Sequence, residues 1–121
     1  MASEFTHTDK IFVFGSNYAG RHGAGAALTA RREYGATYGK GEGRSKQSYA
    51  IPTKDWCLRT LPPSKIRVHV DKFIEYARAR PTLEFFVSRI GCGLAGYNDA
   101  QIAPMFECAP SNCELPHGWR S

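Results

Sequence analysis

The sequence predicts a layered α/β fold built on a mixed, mostly parallel sheet. Apolar runs of strand length alternate with segments of helical periodicity, and a glycine-rich turn follows two of these runs. No internal repeat or low-complexity tract interrupts the alternation. The chain has 121 residues, of which 42% are hydrophobic, so we expect one core and a single domain over residues 1–121.

The first half of the chain is predicted to contain two strands and one helix. Residues 10–15 are apolar on both faces, which predicts a buried strand. An Ala- and Leu-rich stretch predicts a helix over residues 25–34 that ends at Gly35. Residues 39–45 are rich in glycine and are expected to form a mobile loop, followed by a short strand at residues 49–52.

The second half is predicted to contain two helices and two strands. The longest helix carries apolar residues at helical spacing: Ile66, Val70, Phe73 and Ala77. Pro81 ends this pattern, and residues 83–90 then form a predicted strand. We expect a further helix over residues 99–108 and a last short strand over residues 112–115.

The charge of the chain favours anionic partners. Sixteen Lys and Arg residues against 11 Asp and Glu give a formal net charge of +5. The basic residues are scattered, so a phosphate-bearing small ligand explains the surplus better than a polynucleotide groove. No segment approaches the ~20 apolar residues of a membrane span, and the first nine residues lack the apolar core of a signal peptide. We therefore expect a cytoplasmic protein without a membrane partner.

The cysteines predict neither a metal site nor a bound cofactor. Cys57, Cys92, Cys108 and Cys113 form no CxxC pair, and no paired histidines lie at zinc-ligand spacing. In a cytosolic chain they are most simply reduced, partly buried thiols. A disulfide or a metal site is the less favoured alternative.

The segment with the clearest chemistry is Asn-Tyr-Ala-Gly-Arg-His-Gly-Ala-Gly-Ala-Ala at residues 17–27. A strand, a glycine turn and a helix N-terminus in this order bring backbone N–H groups and a positive dipole end together. Residues 91–96 form a second glycine turn after a second strand. If the two strands are parallel, both turns lie at the same sheet edge and predict a phosphate-bearing ligand, most simply a nucleotide.

Three segments in one order resemble those of macro domains, a family that binds ADP-ribose and related derivatives of NAD. Ile-Gly-Cys-Gly-Leu-Ala-Gly-Tyr at residues 90–97 resembles the late glycine loop of the family. Residues 17–27 resemble its asparagine and its first phosphate-and-ribose loop. Residues 51–54, Ile-Pro-Thr-Lys, are similar to the strand-end lysine of one branch. The resemblance covers residues 10–106 and implies a three-layer α/β/α macro-like fold, shortened at the N-terminus.

The resemblance also implies a ligand-binding site. Its residues are Asn17, Gly20, His22, Gly23, Ala24, Gly25, Gly91, Cys92, Gly93, Leu94, Ala95, Gly96 and Tyr97. Asn17 would hydrogen-bond the distal ribose, since its amide is both donor and acceptor. Lys54 is the catalytic candidate, because a partly desolvated lysine can attack an anomeric carbon or stabilise a leaving carboxylate. The alternative for Lys54 is a solvated charge beside Asp55.

Two departures from the family pattern bear on catalysis and on base recognition. One hydrolase branch has a carboxylate where this chain has Ala95, so Asp55 or Asp99 would take its place in that mechanism. A related antitoxin-like branch relies on the lysine without that acid, which keeps Lys54 as the catalytic candidate. The adenine-reading aspartate of the family also has no counterpart, because Asp9 does not lie in that context. The pocket is therefore expected to bind mainly ribose and phosphates, or an altered NAD metabolite.

Three functional hypotheses follow. The first is binding of ADP-ribose or a related NAD-derived nucleotide, with hydrolysis of ADP-ribosyl linkages on nucleic acid or protein left open. The second is a non-catalytic protein that sequesters a signalling nucleotide such as cyclic ADP-ribose. The third is a basic nucleic-acid-binding module, suggested by the net charge together with Lys40, Arg44 and Lys46. The oligomeric state stays open.

Overall fold

The computed structural model describes residues 10–93 and 95–120. The elements in chain order are β1 (Lys10–Asn17), α1 (Gly25–Glu33), β2 (Gly43–Ser45), β3 (Ser48–Lys54), α2 (Pro63–Arg78), β4 (Glu84–Val87), α3 (Asp99–Ile102), a 3-10 helix (Ala103–Phe106) and β5 (Cys113–Glu114). The predicted α/β class is confirmed. The expectations for residues 1–9 lie outside the described part of the chain.

The five strands form one mixed sheet in the order β2-β3-β1-β4-β5. β1 is parallel to both β3 and β4, and β5 is parallel to β4. β2 is antiparallel to β3. The prediction of a mixed, mostly parallel sheet is therefore confirmed, and the strand that is apolar on both faces lies at its centre.

Helices cover both faces of the central strand. Successive β1 side chains point to opposite faces, so Phe12 and Phe14 pack on the α1 side while Ile11 and Val13 pack on the α2 side. The predicted apolar stripe of α2 is buried in the hydrophobic cluster that contains Ile11 and Val13: Ile66, Val70, Phe73 and Ala77.

The order of the strands places a crevice at the end of β1. The chain runs from β1 through α1 to β3 on one side of β1, and then through α2 to β4 on the other side. Connections that leave a parallel sheet in opposite directions open a gap at the carboxyl ends of the strands, which is where ligands bind in such sheets.

The glycine-rich segment 39–45 differs from its prediction as a mobile loop. Its last three residues pair with β3, and the remainder packs directly on the turn after β1. A Cβ atom on Gly41 would lie 2.2 Å from the carbonyl oxygen of Asn17. A Cβ atom on Gly20 would lie 2.2 Å from the carbonyl carbon of Gly39. These glycines permit close backbone packing, whereas the sequence suggested flexibility.

A chain of three side chains also ties this segment to α2. The Tyr18 hydroxyl lies 2.9 Å from His69 Nε2, and His69 Nδ1 lies 2.7 Å from a Glu42 carboxylate oxygen. The segment 39–45, the end of β1 and the middle of α2 are thereby joined.

Three elements are shorter than predicted by two or more residues, and one of them is β5, which covers Cys113–Glu114 instead of residues 112–115. Within residues 83–90, Glu84–Val87 forms the strand, and the rest turns toward the crevice. The predicted helix over residues 99–108 is an α-helical turn followed by a 3-10 helix. Pro104 explains the change, because proline has no N–H group for an α-helical bond and its ring clashes with the preceding turn.

No helix within the described residues is long and apolar enough to span a membrane. All four cysteines are free thiols, with Cys113 buried and Cys57 and Cys108 exposed.

Candidate functional site

A cavity of about 580 Å³ opens at the carboxyl ends of β1, β3 and β4. This volume is in the range of small-molecule sites. Its walls are the turn between β1 and α1, the first turn of α1, the end of β3 with the loop after it, and the loop after β4. The cavity therefore lies at the crevice that the strand order creates.

The N-terminus of α1 faces this cavity without a cap from the described residues. The N-cap residue is Ala24, and no acidic residue lies in the first turn. The first helical hydrogen bond runs from the Leu28 N–H group to the Ala24 carbonyl oxygen. The N–H groups of Gly25, Ala26 and Ala27 precede it and have no intrahelical acceptor. These donors and the positive end of the helix dipole favour an anion.

Three cationic side chains line the same cavity: Arg21, Lys54 and Arg89. No carboxylate lines it within residues 10–93 and 95–120. Arg89 is paired with Asp99 at 2.6 Å, whereas the ammonium group of Lys54 has no hydrogen-bond or ion-pair partner among the described residues. The cavity consequently carries an excess of positive charge.

Asn17 lines the cavity at the end of β1, beside Lys54 on β3. Its side-chain amide donates to the Arg21 carbonyl oxygen at 3.0 Å and accepts from the Arg21 N–H group at 2.9 Å. The amide thus closes the turn that leads to α1. Each of its polar atoms retains capacity for one more hydrogen bond, so the implied ribose contact stays a prediction.

The second glycine turn reaches the cavity from β4. Gly91, Gly93 and Ala95 line it, as do Gly23, Ala24 and Gly25 of the first turn. Because β1 and β4 are parallel, the prediction that the two turns share one sheet edge is confirmed. Gly91 has a φ of +79°, and a Cβ atom there would lie 3.0 Å from Ile102, so this position requires glycine.

Several residues of the implied site lie outside the cavity wall. Gly20 forms the base of the first turn, where its N–H group donates to the Asn17 carbonyl oxygen. Gly96 and Tyr97 lie behind the second turn, and the Tyr97 hydroxyl donates to the Leu61 carbonyl oxygen at 2.7 Å. Leu94 lies outside the described residues.

Cys92 also lies outside the wall, and its chemistry argues against a nucleophile. Burial, together with the neighbouring Asp99 carboxylate, raises the pKa of the Cys92 thiol to about 11. The thiol lies 3.5 Å from an Asp99 carboxylate oxygen. It is therefore protonated at neutral pH.

His22 is fully buried behind the first turn rather than exposed to a ligand in the cavity. Its Nε2 atom lies 3.2 Å from Ser16 Oγ, and its ring contacts Phe14 and Tyr38 edge to face. Burial lowers the pKa of His22, and the charge of Arg31 lowers it further. The imidazole is consequently neutral at physiological pH.

Neither substitute acid for the Lys54 chemistry lines the cavity. Asp55 accepts hydrogen bonds from the Cys57 and Arg59 N–H groups at 2.8 and 3.0 Å. The bond from Arg59 is the main reason why the pKa of Asp55 is lowered. Asp55 thus holds the loop after β3, and Asp99 is paired with Arg89.

Sequence reasoning missed the cations Arg21 and Arg89 and the side chains of Ser16, Thr53 and Ser88. The three hydroxyl residues lie at or just beyond the carboxyl ends of β1, β3 and β4. Polar residues at the ends of apolar strands could therefore have indicated these cavity-lining positions in the sequence. Their convergence depends on strand order, which the local pattern does not contain.

In the described part of the chain, no group of three or more His, Cys, Asp or Glu side chains is placed to hold a metal ion. Comparisons with protein-family models, curated proteins and solved structures found no match. Fold and site together define an α/β protein with an electropositive cavity at the switch point of its sheet.

Proposed function

We propose that this chain binds ADP-ribose or a related NAD-derived nucleotide in the cavity, within a three-layer α/β/α fold of the macro type. One observation carries the proposal. Arg21, Lys54 and an uncapped helix N-terminus line a single volume together with Arg89, which is paired with Asp99, and no carboxylate lines this volume among the described residues. Phosphate groups are the ligand chemistry that this combination suits best.

The two glycine turns suggest how such a ligand would be held. The N-terminus of α1 and Arg21 would bind one phosphate, and the turn at Gly91 would bind the next, with Arg89 held beside it by Asp99. Asn17 and Lys54 lie side by side at the ends of β1 and β3 and would face the distal ribose. The resemblance to macro domains makes ADP-ribose the preferred ligand, and the main-chain donors suit its ribose and phosphates rather than its base.

Capture without turnover is the form of the proposal that the cavity favours. Hydrolysis of an ADP-ribosyl bond needs a group to activate water or protonate the leaving group; the described wall offers no carboxylate for this and leaves Lys54 as the catalytic candidate. In capture without turnover, Lys54 acts as a charge beside the ligand. Incubation with ADP-ribosylated DNA or protein tests this point: released ADP-ribose that disappears in Lys54→Ala would establish hydrolysis instead.

Nucleic-acid binding is less favoured because the basic residues near residues 39–46 are engaged locally. Lys40 Nζ donates to the Arg44 carbonyl oxygen, and Arg44 Nε donates to the Lys46 carbonyl oxygen, both at 2.6 Å. Arg44 also donates to the Tyr76 hydroxyl at 3.1 Å. The side chains of Lys40 and Arg44 are thus held by nearby backbone and by Tyr76 rather than projecting as a charged row.

Calorimetric titration with ADP-ribose, cyclic ADP-ribose, NAD and an oligonucleotide tests the proposal. Gly23 offers a matched pair of variants, because it lines the cavity and a Cβ atom there would have no neighbour within 4 Å. Gly23→Asp places a carboxylate beside the helix N-terminus, whereas Gly23→Asn has the same shape without the charge. We expect Gly23→Asp to weaken ADP-ribose binding by at least about tenfold and Gly23→Asn to change it little.

Two results would contradict the proposal. One is the absence of heat with every ADP-ribose compound while the oligonucleotide binds. The other is equal affinity of the two Gly23 variants, which would place the ligand elsewhere. The melting temperature of each variant serves as the folding control.

A further inference from the structure

We propose that Ser16 donates a hydrogen bond to a phosphate oxygen of the ligand and that the buried His22 is the positioning residue that directs the Ser16 hydroxyl. This inference rests on the proposed function, since it assigns roles within the same cavity. Neither residue follows from the glycine motifs. The two are joined by one contact between the end of β1 and the following turn.

Ser16 is placed to touch a ligand. It lines the cavity at the carboxyl end of β1, with 4% of its surface exposed. Thr53, its neighbour across the sheet, donates to the Ser16 carbonyl oxygen and lines the same cavity. The Ser16 hydroxyl therefore sits on a rigid strand end rather than on a loop.

The surroundings of His22 decide which ring nitrogen carries the proton. The ring is 0% exposed, and Nδ1 makes no hydrogen bond of accepted geometry with the described residues, although the backbone of Lys40 acts on the ring and raises its pKa against the larger lowering by burial. An orphaned buried N–H group is rarer in proteins than an under-satisfied acceptor. The proton is therefore assigned to Nε2, which donates to Ser16 Oγ at 3.2 Å.

Because His22 Nε2 is the donor in this hydrogen bond, Ser16 Oγ is the acceptor, and the Ser16 hydroxyl can donate its own proton to a ligand in the cavity. Without a ligand the hydroxyl donates to the Asn17 carbonyl oxygen over a long 3.3 Å. That oxygen already accepts from the Gly20 N–H group at 2.9 Å, so it does not depend on Ser16. A phosphate oxygen would provide a shorter, charge-assisted acceptor, and the hydroxyl can turn to it at little cost.

Binding of ADP-ribose to single and double variants tests the assignment. We expect Ser16→Ala to lose about tenfold or more in affinity, since a hydrogen bond to a charged group is removed. Ser16→Cys keeps nearly the same volume with a weak donor and should lose a similar factor. His22→Phe keeps the ring but removes the donor and should weaken binding less, whereas His22→Gln restores a donor and should recover part of the loss.

The double variant separates positioning from a structural role. If His22 acts through Ser16, His22→Phe has no further effect on affinity in the Ser16→Ala background. If the wild type binds ADP-ribose and both Ser16→Ala and Ser16→Cys bind it equally or more tightly, this inference is wrong and the proposed function stands. Failure of the wild type to bind any ADP-ribose compound would overturn both. Equal losses from His22→Phe in both backgrounds would also overturn the positioning role.

Discussion

At the scale of single residues, glycine and asparagine have structural roles that the sequence pattern predicts only in part. Gly41 and Gly20 allow two backbone segments to touch, and Asn17 satisfies both main-chain groups of Arg21. The sequence places Asn17 and Gly20 in the turn after β1 and Gly41 in a loop expected to be mobile. It does not reveal which groups they contact, because Gly20 and Gly41 pack against a different backbone segment and Asn17 bonds Arg21 only once the turn has formed.

The burial of His22 predicts a dependence of stability on pH. Burial, and then the charge of Arg31, lowers the pKa of His22 in the folded protein, so the unfolded chain binds more protons in acid. The contribution of His22 is therefore present above its ordinary pKa near 6.5 and is lost as the pH falls through that value. We expect the free energy of unfolding to fall from pH 7.5 to 5.5 by less in His22→Phe than in the wild type.

Urea unfolding at the two pH values measures this difference. Ser16→Ala is the matched control, because it keeps the buried imidazole and should keep the pH dependence. An identical pH dependence in His22→Phe and in the wild type would mean that His22 does not carry it.

At the scale of elements, the β1–turn–α1 unit supplies the anion-binding chemistry and α2 supplies much of the core. The alternation of strands and helices and the apolar stripe of α2 could be predicted from the sequence, because both depend on local periodicity. The sequence did not predict strand β2, because its three residues, Gly, Arg and Ser, form a strand only by pairing with β3. The end of α2 depends similarly on a distant residue.

Asn112 is predicted to be the cap that holds the end of α2. Its amide nitrogen lies within 3.0, 3.1 and 3.0 Å of the carbonyl oxygens of Ala77, Arg80 and Leu83, which connects α2 and β4 to the segment before β5. Asn112→Ala leaves these carbonyl groups with fewer donors and should lower the free energy of unfolding by about 1–3 kcal/mol.

Denaturant unfolding of Asn112→Ala measures this loss. Asn98→Ala provides a comparison, because it removes the capping box of the four-residue helix α3 and should cost about 1 kcal/mol. Since Asn112 does not line the cavity, ADP-ribose affinity should be unchanged when the protein is folded. Full stability in Asn112→Ala would contradict the capping role.

At the scale of the whole molecule, the net charge is +5, and three of the 16 Lys and Arg residues line one cavity: Arg21, Lys54 and the Asp99-paired Arg89. A small phosphate-bearing ligand feels these charges at short range in a partly enclosed space, where salt screens them only in part. A polynucleotide would instead contact many charges over the surface and release many counterions.

The salt dependence of binding therefore distinguishes the two ligand classes. Between 50 and 200 mM salt, ADP-ribose affinity should fall by no more than about tenfold, whereas a polynucleotide that makes six to ten phosphate contacts would lose about 10³–10⁵. Titrations at both salt concentrations, with wild type and Lys54→Ala, measure the slope. A steep slope for ADP-ribose would contradict binding in the cavity.

By itself the sequence determined the α/β class, the central strand, the two long helices and the two glycine turns, because their signals are local periodicity and local turn chemistry. Only the tertiary structure decided that β1 lies between β3 and β4, which brings Lys54, Arg21 and Arg89 to one cavity. The same arrangement buries His22 behind Ser16 and places Tyr97 outside the cavity wall. Strand order and burial arise from contacts between distant segments, and no local pattern encodes them.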